Sequence, residues 1–472
     1  MRLYNSLSRK IEKFEPINPP QVGLYACGPT VYDYAHLGHL RKYTMDDVLV
    51  RVLKREGYSV THVQNVTDVG HLASDADTGE DKLEKGARKY SLSVLELAHK
   101  FENYFYDSMD KMNNQRPDIV CRATAHIQEM LALVETLEAK GFTYVIEGDG
   151  VYFDTSKLSD YGALSPLDLD QIQAGARVEM AVGKRNATDF ALWKFEREGE
   201  NRAMSWPSKW AEKGFPGWHI ECSAMSMKYL GEQFDIHTGG IDHLTVHHPN
   251  EIAQSEVATN KKPFVKYWVH HNFLQVDGKK MSKSKNNFFT IDDIETRGFN
   301  PMALRLLFLQ SHYRSELNFT WDSLAATQKS WMRLQRLVGE LKAEAEEELS
   351  LSPLAIEYQK HFFEAMADDL DTPTAVADMW KLLKDERLSH NNKYWLLMQF
   401  DEVLGLGLAN LVFKEMEISL ESLPAEIQAL VQARAKARAA KDWGKADELR
   451  AELSASGYQV LDTTSGQKIT KK

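Results

Sequence analysis

Three cysteines, at positions 27, 121 and 222, are all that a chain of 472 residues offers. That is too few for a disulfide framework, and it leaves reduced thiols or metal thiolates as their use. No apolar run approaches the length that crosses a bilayer, and Met1 to Ser6 lead into charged sequence rather than an apolar signal core. A cytoplasmic protein without a membrane partner is therefore expected. Positive charge is short as well, because the formal net charge is −11. That balance argues weakly against general affinity for nucleic acid, and a nucleic-acid partner would need a locally basic patch. What is present is bulk: 43% of the residues are hydrophobic, so a large interior can form. The length exceeds one core, so two to four domains are expected.

A short apolar run at 22–26 ends on Cys27, Gly28 and Pro29, and apolar spacing of helical period then runs from 37 to 55, before Gly57. Residues 59–66 read as a second strand. Strand, helix, strand is a parallel unit whose ligands gather at the carboxyl ends of its strands, where Cys27, Gly28, Thr67 and Asp68 fall. Residues 70–81 are acidic and small, a surface loop without the ligand spacing of a calcium loop. From 116 to 205 the alternation is interrupted, and it resumes with a strand at 233–237, a helix after Pro249 and a strand near 265–269. The fold class expected is α/β: a Rossmann-like doubly wound parallel sheet in two halves, 1–115 and 206–260, around an inserted domain at 116–205. A loop-bearing region follows at 261–320, then an all-α helical bundle at 321–422 and a small C-terminal domain at 423–472. The charged stretch 342–348 reads as a solvated face or loop.

His36 and His39 stand three apart where the first helix begins, so both project toward its amino end, where phosphate is favoured. Gly38 between them removes a side chain where a nucleotide must come close. Imidazole donors placed there act on the charge that builds at an α-phosphorus in the transition state. Far downstream, Lys280 and Lys283 bracket Met281 and Ser282, with Ser284 next, an Asp277-Gly278 turn before and Asn286-Asn287 after. This is loop composition. A lysine ammonium beside a phosphate oxygen gains about 4 kcal/mol at an effective dielectric near 20, enough to hold departing pyrophosphate. Separately, paired histidines are ordinary packing and clustered lysines an ordinary basic loop. Together they describe an ATP site that breaks the α,β-phosphate bond.

Cys27 and Cys222, with His247 and Glu251 four apart, supply two thiolates, an imidazole and a carboxylate, a tetrahedral zinc set. Buried free cysteines with a histidine and glutamate on a helix surface are the competing reading. Pro249 suits a helix's first turn and is expected to put His247 just before the helix, with His248 as a rival ligand.

His36-Leu37-Gly38-His39 and Lys280-Met281-Ser282-Lys283-Ser284 resemble the two signature motifs of the class I aminoacyl-tRNA synthetases. Within that class, residues 27–33, 184–186, 189–193, 217–225 and 312–315 resemble the cysteinyl-tRNA synthetase family, and the similarity runs from about Leu3 to Gly466. The resemblance implies zinc on Cys27, Cys222, His247 and Glu251, and a cysteine pocket lined by Trp218 and Thr67 with backbone access at Gly28. It implies ATP held by Thr30, Gly38, Ser282 and Ser284, with His36 and His39 on its phosphates, Lys280 and Lys283 on the pyrophosphate, and magnesium accompanying it. L-Cysteine, ATP and tRNA(Cys) are the implied partners of a monomer, with the helical region after Trp321 and the tail contacting tRNA. Zinc takes up a thiolate far better than a serine hydroxyl, and four to five decades of discrimination correspond to about 6 kcal/mol, so no editing domain is expected.

The chain departs from the family pattern at Pro249, in the run 237–240, in a longer acidic loop after Val69 and at its close, 466–472. In the tail, Arg434, Lys436, Arg438, Lys441, Lys445 and Arg450 punctuate an alanine-rich helix around Trp443, either a solvated face or a local RNA-steering patch. Two rivals remain: a ligase joining cysteine to an amino-sugar, which lacks an extended anticodon-binding end, and a non-catalytic RNA-binding paralogue, in which both signature motifs would have decayed.

Overall fold

The computed structural model describes residues 1–70, 81–165, 183–281, 287–346, 350–411, 420, 423–463 and 466–471. The chain divides into two compact units, Met1–Ala409 and Asn410–Lys472.

The first unit is built on a parallel sheet. Its strands are β1 (Gln21–Ala26), β2 (Ser59–Val66), β3 (Ile119–Arg122), β4 (Phe234–Gly240) and β5 (Val265–His271), in the order β5-β4-β1-β2-β3. Helix α1 (Leu37–Arg55) carries the chain from β1 to β2, as the apolar spacing predicts. After β3 the chain leaves the sheet and returns on the other side of β1, through α2 (Trp218–Leu230) into β4 and through α3 (His247–Thr259) into β5. The direction of winding thus reverses between β1 and β4, which opens a crevice beyond their carboxyl ends. In register, Leu24 of β1 faces His62 of β2 and Ile236 of β4, and β2 and β4 each run two residues beyond the end of β1 at Ala26.

β1 reads as an apolar run, as buried parallel strands do, whereas β2 is mixed and buries His62, Gln64 and Asn65. β4 departs from the rule as β2 does, burying Asp235, His237 and Thr238. Polar side chains inside a central strand conflict with local packing, and they mark where the sheet serves something other than stability.

The inserted segment carries helix Ile127–Ala139 and a four-stranded antiparallel sheet of Thr143–Ile146, Gly150–Phe153, Phe190–Phe195 and Gly214–Pro216. Beyond β5, β6 (Leu274–Val276) and β7 (Lys279–Lys280) form a hairpin, and β8 (Leu317–Phe319) pairs with β6. Both residues of the hairpin turn, Asp277 and Gly278, have positive φ, the geometry a two-residue hairpin loop needs. Lys280 therefore sits on a short strand, where the composition suggested loop. Four helices follow, Trp321–Ala343, Pro353–Ala367, Thr372–Lys384 and His390–Leu404. Among the described residues no helix is long and apolar enough to cross a membrane.

The second unit corrects one sequence expectation. The alanine-rich tail is two helices, Ala425–Ala439 and Trp443–Ala455, followed by a hairpin of Tyr458–Thr463 and Gly466–Lys471. The break falls at Lys441, whose φ is positive, and Asp442 restarts the helix by accepting from Lys445 N. Leu423, Ile427, Val431, Leu453, Val460 and Ile469 form its core. Arg434 is not a surface charge either: it is buried, donating to Asp462 at 3.0 and 2.9 Å and to Gln467.

Candidate active site and metal centre

The first histidine pair caps its own helix. His36 is the N-cap of α1, its Nδ1 accepting from Gly38 N at 3.1 Å and His39 N at 3.4 Å, and His39 Nδ1 accepts from His36 N at 3.2 Å. Since each Nδ1 is an acceptor, each neutral ring must carry its proton on Nε2. The rings lie stacked with centroids 3.8 Å apart. Burial lowers His36 to about 4. His39 keeps an open face, yet the crowded cleft around it, together with His36 and Lys42, holds it well below the ordinary histidine value. Two uncharged donors are thus presented at a helix amino end.

The second motif approaches the first. A Cβ on Gly38 would lie 3.2 Å from the Met281 methyl, His36 packs edge-on against Phe288 at 5.1 Å, and Leu37 N donates to Phe289 O at 3.0 Å. The Arg41 guanidinium ties α1 to the neighbouring connections, donating to the carbonyls of Asn272, Phe273, His312 and Ser315 at 2.7–3.1 Å. Lys280 is exposed beside this junction. Ser282, Lys283 and Ser284 lie outside the described residues, as does 71–80 of the acidic loop; the latter's base is held by Arg202, which pairs with Asp81 and donates to Gly70 O.

At the crevice between β1 and β4, Cys27, Cys222, His247 and Glu251 each offer a ligand atom within 4.8 Å of the other three, and all four are buried. Cys27 follows β1, Cys222 comes from α2, and His247 and Glu251 from α3. His247 is the first residue of α3 rather than the residue before it, with Pro249 inside the first turn. One helical turn therefore separates His247 from Glu251, and His247 Nε2 stands 3.1 Å from Glu251 Oε1. That oxygen is buried without an aligned hydrogen bond. The four donors converge within one small volume, and two sulfurs, a nitrogen and an oxygen suit zinc.

The protonation of the cluster carries the same message. Burial raises the Cys27 thiol, and the adjacent Cys27 sulfur and burial together push Cys222 well up. Burial opposes charge on His247, but Glu251 and Cys222 outweigh it and raise it to about 10. Burial likewise opposes charge on Glu251, which His237 and His247 nevertheless hold below the usual carboxylate range. Without a cation the cluster keeps thiol and imidazolium protons that metal binding would displace.

Trp218, at the start of α2, is half-buried with its ring 4.4 Å from that of His247. At Gly28 a Cβ would be 1.5 Å from Asn65 O, and the Gly28 N–H donates to Asn65 Oδ1 at 2.7 Å. Thr67 donates to Glu221 Oε2 at 3.0 Å and accepts from Asn65 at 3.2 Å, while Thr30 bridges to Thr67 through the backbone. The sequence singles out Gly28, Thr30, Thr67 and Trp218 and misses Asn65 and Glu221. It also misses Lys42 and Tyr43 of α1, which both donate to Cys27 O, at 2.9 and 3.0 Å, and so hold the first ligand's strand end against the histidine-bearing helix. The signal available was histidine density: seven of the sixteen histidines fall between 219 and 271.

Residues 13–329 match a family model described as the tRNA synthetases class I (C) catalytic domain, and residues 420–469 match one described as the cysteinyl-tRNA ligase anticodon binding domain. The chain is 46% identical to a cysteine–tRNA ligase of Burkholderia lata over 99% of its own length and 96% of the relative's. It is 42% identical to one of Treponema denticola over 100% and 99%. Among solved structures it resembles a Mycobacterium tuberculosis methionyl-tRNA synthetase in complex with methionyl-adenylate, with a TM-score of 0.54 at 14% identity, covering 82% of this chain and 90% of that one. It also resembles the LeuRS–tRNA–LeuAMS ternary complex of Agrobacterium radiobacter, with a TM-score of 0.59 at 12% identity over 84% of each chain. At these identities the likeness speaks for the fold.

Proposed function

The chain belongs to the cysteinyl-tRNA synthetase family of class I, and from that premise we propose how its crevice carries out cysteine activation and transfer. The enzyme ligates L-cysteine to tRNA(Cys) through a cysteinyl-adenylate, consuming ATP and releasing AMP and pyrophosphate. The observation that carries the mechanism is the meeting, at one sheet crevice, of the four-donor cluster and the capped histidine helix, joined through Lys42, Tyr43 and the Cys27 carbonyl.

ATP lies with its phosphates at the amino end of α1. His36 and His39 direct Nε2–H groups at the α-phosphate, and because the caps fix those tautomers the donors need no reorganisation as negative charge builds. The cysteine carboxylate attacks the α-phosphorus, the bond to the β-phosphate breaks, and Lys280 and Lys283 neutralise the departing pyrophosphate. Thr30, Gly38, Ser282 and Ser284 complete the nucleotide site. A hydroxyl of the tRNA's terminal ribose then attacks the cysteinyl carbonyl and AMP leaves. Zinc on Cys27, Cys222, His247 and Glu251 would supply a soft Lewis acid for the substrate's sulfur. Gly28, Thr67 and Trp218 enclose the rest of the amino acid. Magnesium would accompany the ATP phosphates, in keeping with its habit of binding through substrate oxygens. Residues 1–115 and 206–260 serve as the bulk of the two halves of the catalytic domain, whose sheet also takes in Ile119–Arg122 and Val265–His271, and 116–205 as the bulk of the insert, whose sheet also takes in Gly214–Pro216. Residues 261–320 carry the lysine-serine loop and stem contacts, 321–422 the tRNA-binding bundle and 423–472 the anticodon contacts. The match of 420–469 to an anticodon-binding domain favours tRNA over an amino-sugar as acceptor.

The test is pyrophosphate exchange into ATP followed by charging. Exchange that depends on cysteine, and radiolabelled cysteine transferred to tRNA(Cys), are expected. Exchange without charging, with an amino-sugar consumed, would reassign the acceptor.

A further inference from the structure

Behind the first donor set lies another. Cys27, His237, His248 and Glu251 are all buried, and each offers a ligand atom within 4.8 Å of the other three. His248 sets its Nε2 3.4 Å from Cys27 Sγ and 3.9 Å from Glu251 Oε1. Its Nδ1 is 2.7 Å from His270 Nε2, and His270 Nδ1 in turn meets Ser6 Oγ at 2.8 Å. Such outer hydrogen bonds orient a ligand imidazole and leave its inner nitrogen free for a metal. His237 turns its Nε2 to Glu251 Oε2 at 3.0 Å. The two sets face different walls. His247 packs on Trp218, whereas the rings of His237 and His248 pack 4.7 and 4.8 Å from that of Trp268.

We propose that Cys27, His237, His248 and Glu251 form a second site for a divalent cation such as zinc or cadmium, overlapping the first and exclusive of it. One thiolate, two imidazoles and a carboxylate are a donor set such ions accept. Exclusivity follows because both sets need the single Cys27 sulfur and the Glu251 carboxylate. An ion in the second set is drawn onto the Trp268 side, away from Trp218 and the amino-acid pocket, so this position stores metal without serving substrate. The exclusivity, though not the second set itself, rests on the zinc reading above.

Metal-stripped full-length protein is titrated with cobalt(II), and with zinc against a chelating indicator, as wild type, Cys222→Ser and Cys222→Ser/His248→Asn. Cys222→Ser is expected to keep one equivalent, with the thiolate-to-cobalt charge-transfer intensity halved. Adding His248→Asn is expected to weaken that binding at least about 100-fold, since loss of an outer partner alone costs up to that much. Native circular dichroism confirms folding, and His237→Asn replaces His248→Asn where the latter does not fold. A folded Cys222→Ser protein that takes up no ion, or one whose affinity neither histidine change moves, overturns the second site. A wild type that binds no ion contradicts both sets, which separates the two failures.

Discussion

At the scale of single residues, His36 has two tasks that substitution can separate. Its Nδ1 caps α1, which leaves its Nε2 to carry the ring proton as a donor. Asparagine can take over the cap but not the Nε2 donor. His36→Asn is therefore expected to keep the wild-type melting temperature and lose on the order of 10²–10³ in the rate of pyrophosphate exchange. His36→Ala should show the same rate loss plus roughly 1 kcal/mol of stability, the worth of an N-cap. Equal stability losses in both variants would contradict the division of labour. Because burial lowers His36 to about 4 and holds His39 well below the ordinary histidine value, the rate deficit should be constant between pH 6 and 8. The three-residue spacing made the shared direction of the pair legible in the sequence. The tautomers were not, since they depend on backbone N–H groups that only a formed helix end presents.

Among elements, the meeting of β1 and β2 decides whether the site exists. Gly28 has the Asn65 carbonyl where a Cβ would go, and backbone cannot move aside as a side chain can. Gly28→Ala is expected to cost about 3 kcal/mol or more in urea unfolding and to lower bound metal, because prising the strand ends apart carries Cys27 with them. Normal stability with full metal content would show that the close approach is dispensable. The strand-helix-strand unit was readable because α1 and β2 are long, periodic and bounded by clear stops. The start of α3 was not, because Pro249 is equally at home one or three residues into a helix, and the structure puts it third, which brings His247 within a turn of Glu251. The tail was misread for a related reason: alanine and lysine favour helix throughout 425–455, and only the left-handed turn at Lys441 breaks it.

For the molecule as a whole, buried histidines couple stability to acidity. His62 is buried on β2 and lowered to about 4, against 6.5 for the free side chain, chiefly by burial. Between those values the unfolded chain binds a proton that the folded chain does not, so stability falls as pH drops from 6.5 toward 4. The loss should reach about 3 kcal/mol for His62 alone, and His62→Gln should flatten the profile of melting temperature against pH in that window. An unchanged profile would mean that His62 is protonated in the fold. The gathering of histidines from α2, β4, α3 and β5 at one crevice was not legible in the sequence, because it depends on where the winding reverses.

The account turns on the amino acid being chosen by a cation held on Cys27, Cys222, His247 and Glu251. The most direct measurement compares cysteine with serine in pyrophosphate exchange before and after metal removal, with reloading as control. The loaded enzyme should prefer cysteine by about 10⁴-fold or more, and the stripped enzyme should lose both that preference and cysteine-dependent exchange until metal is restored. A preference for cysteine that survives complete removal of the metal would contradict it.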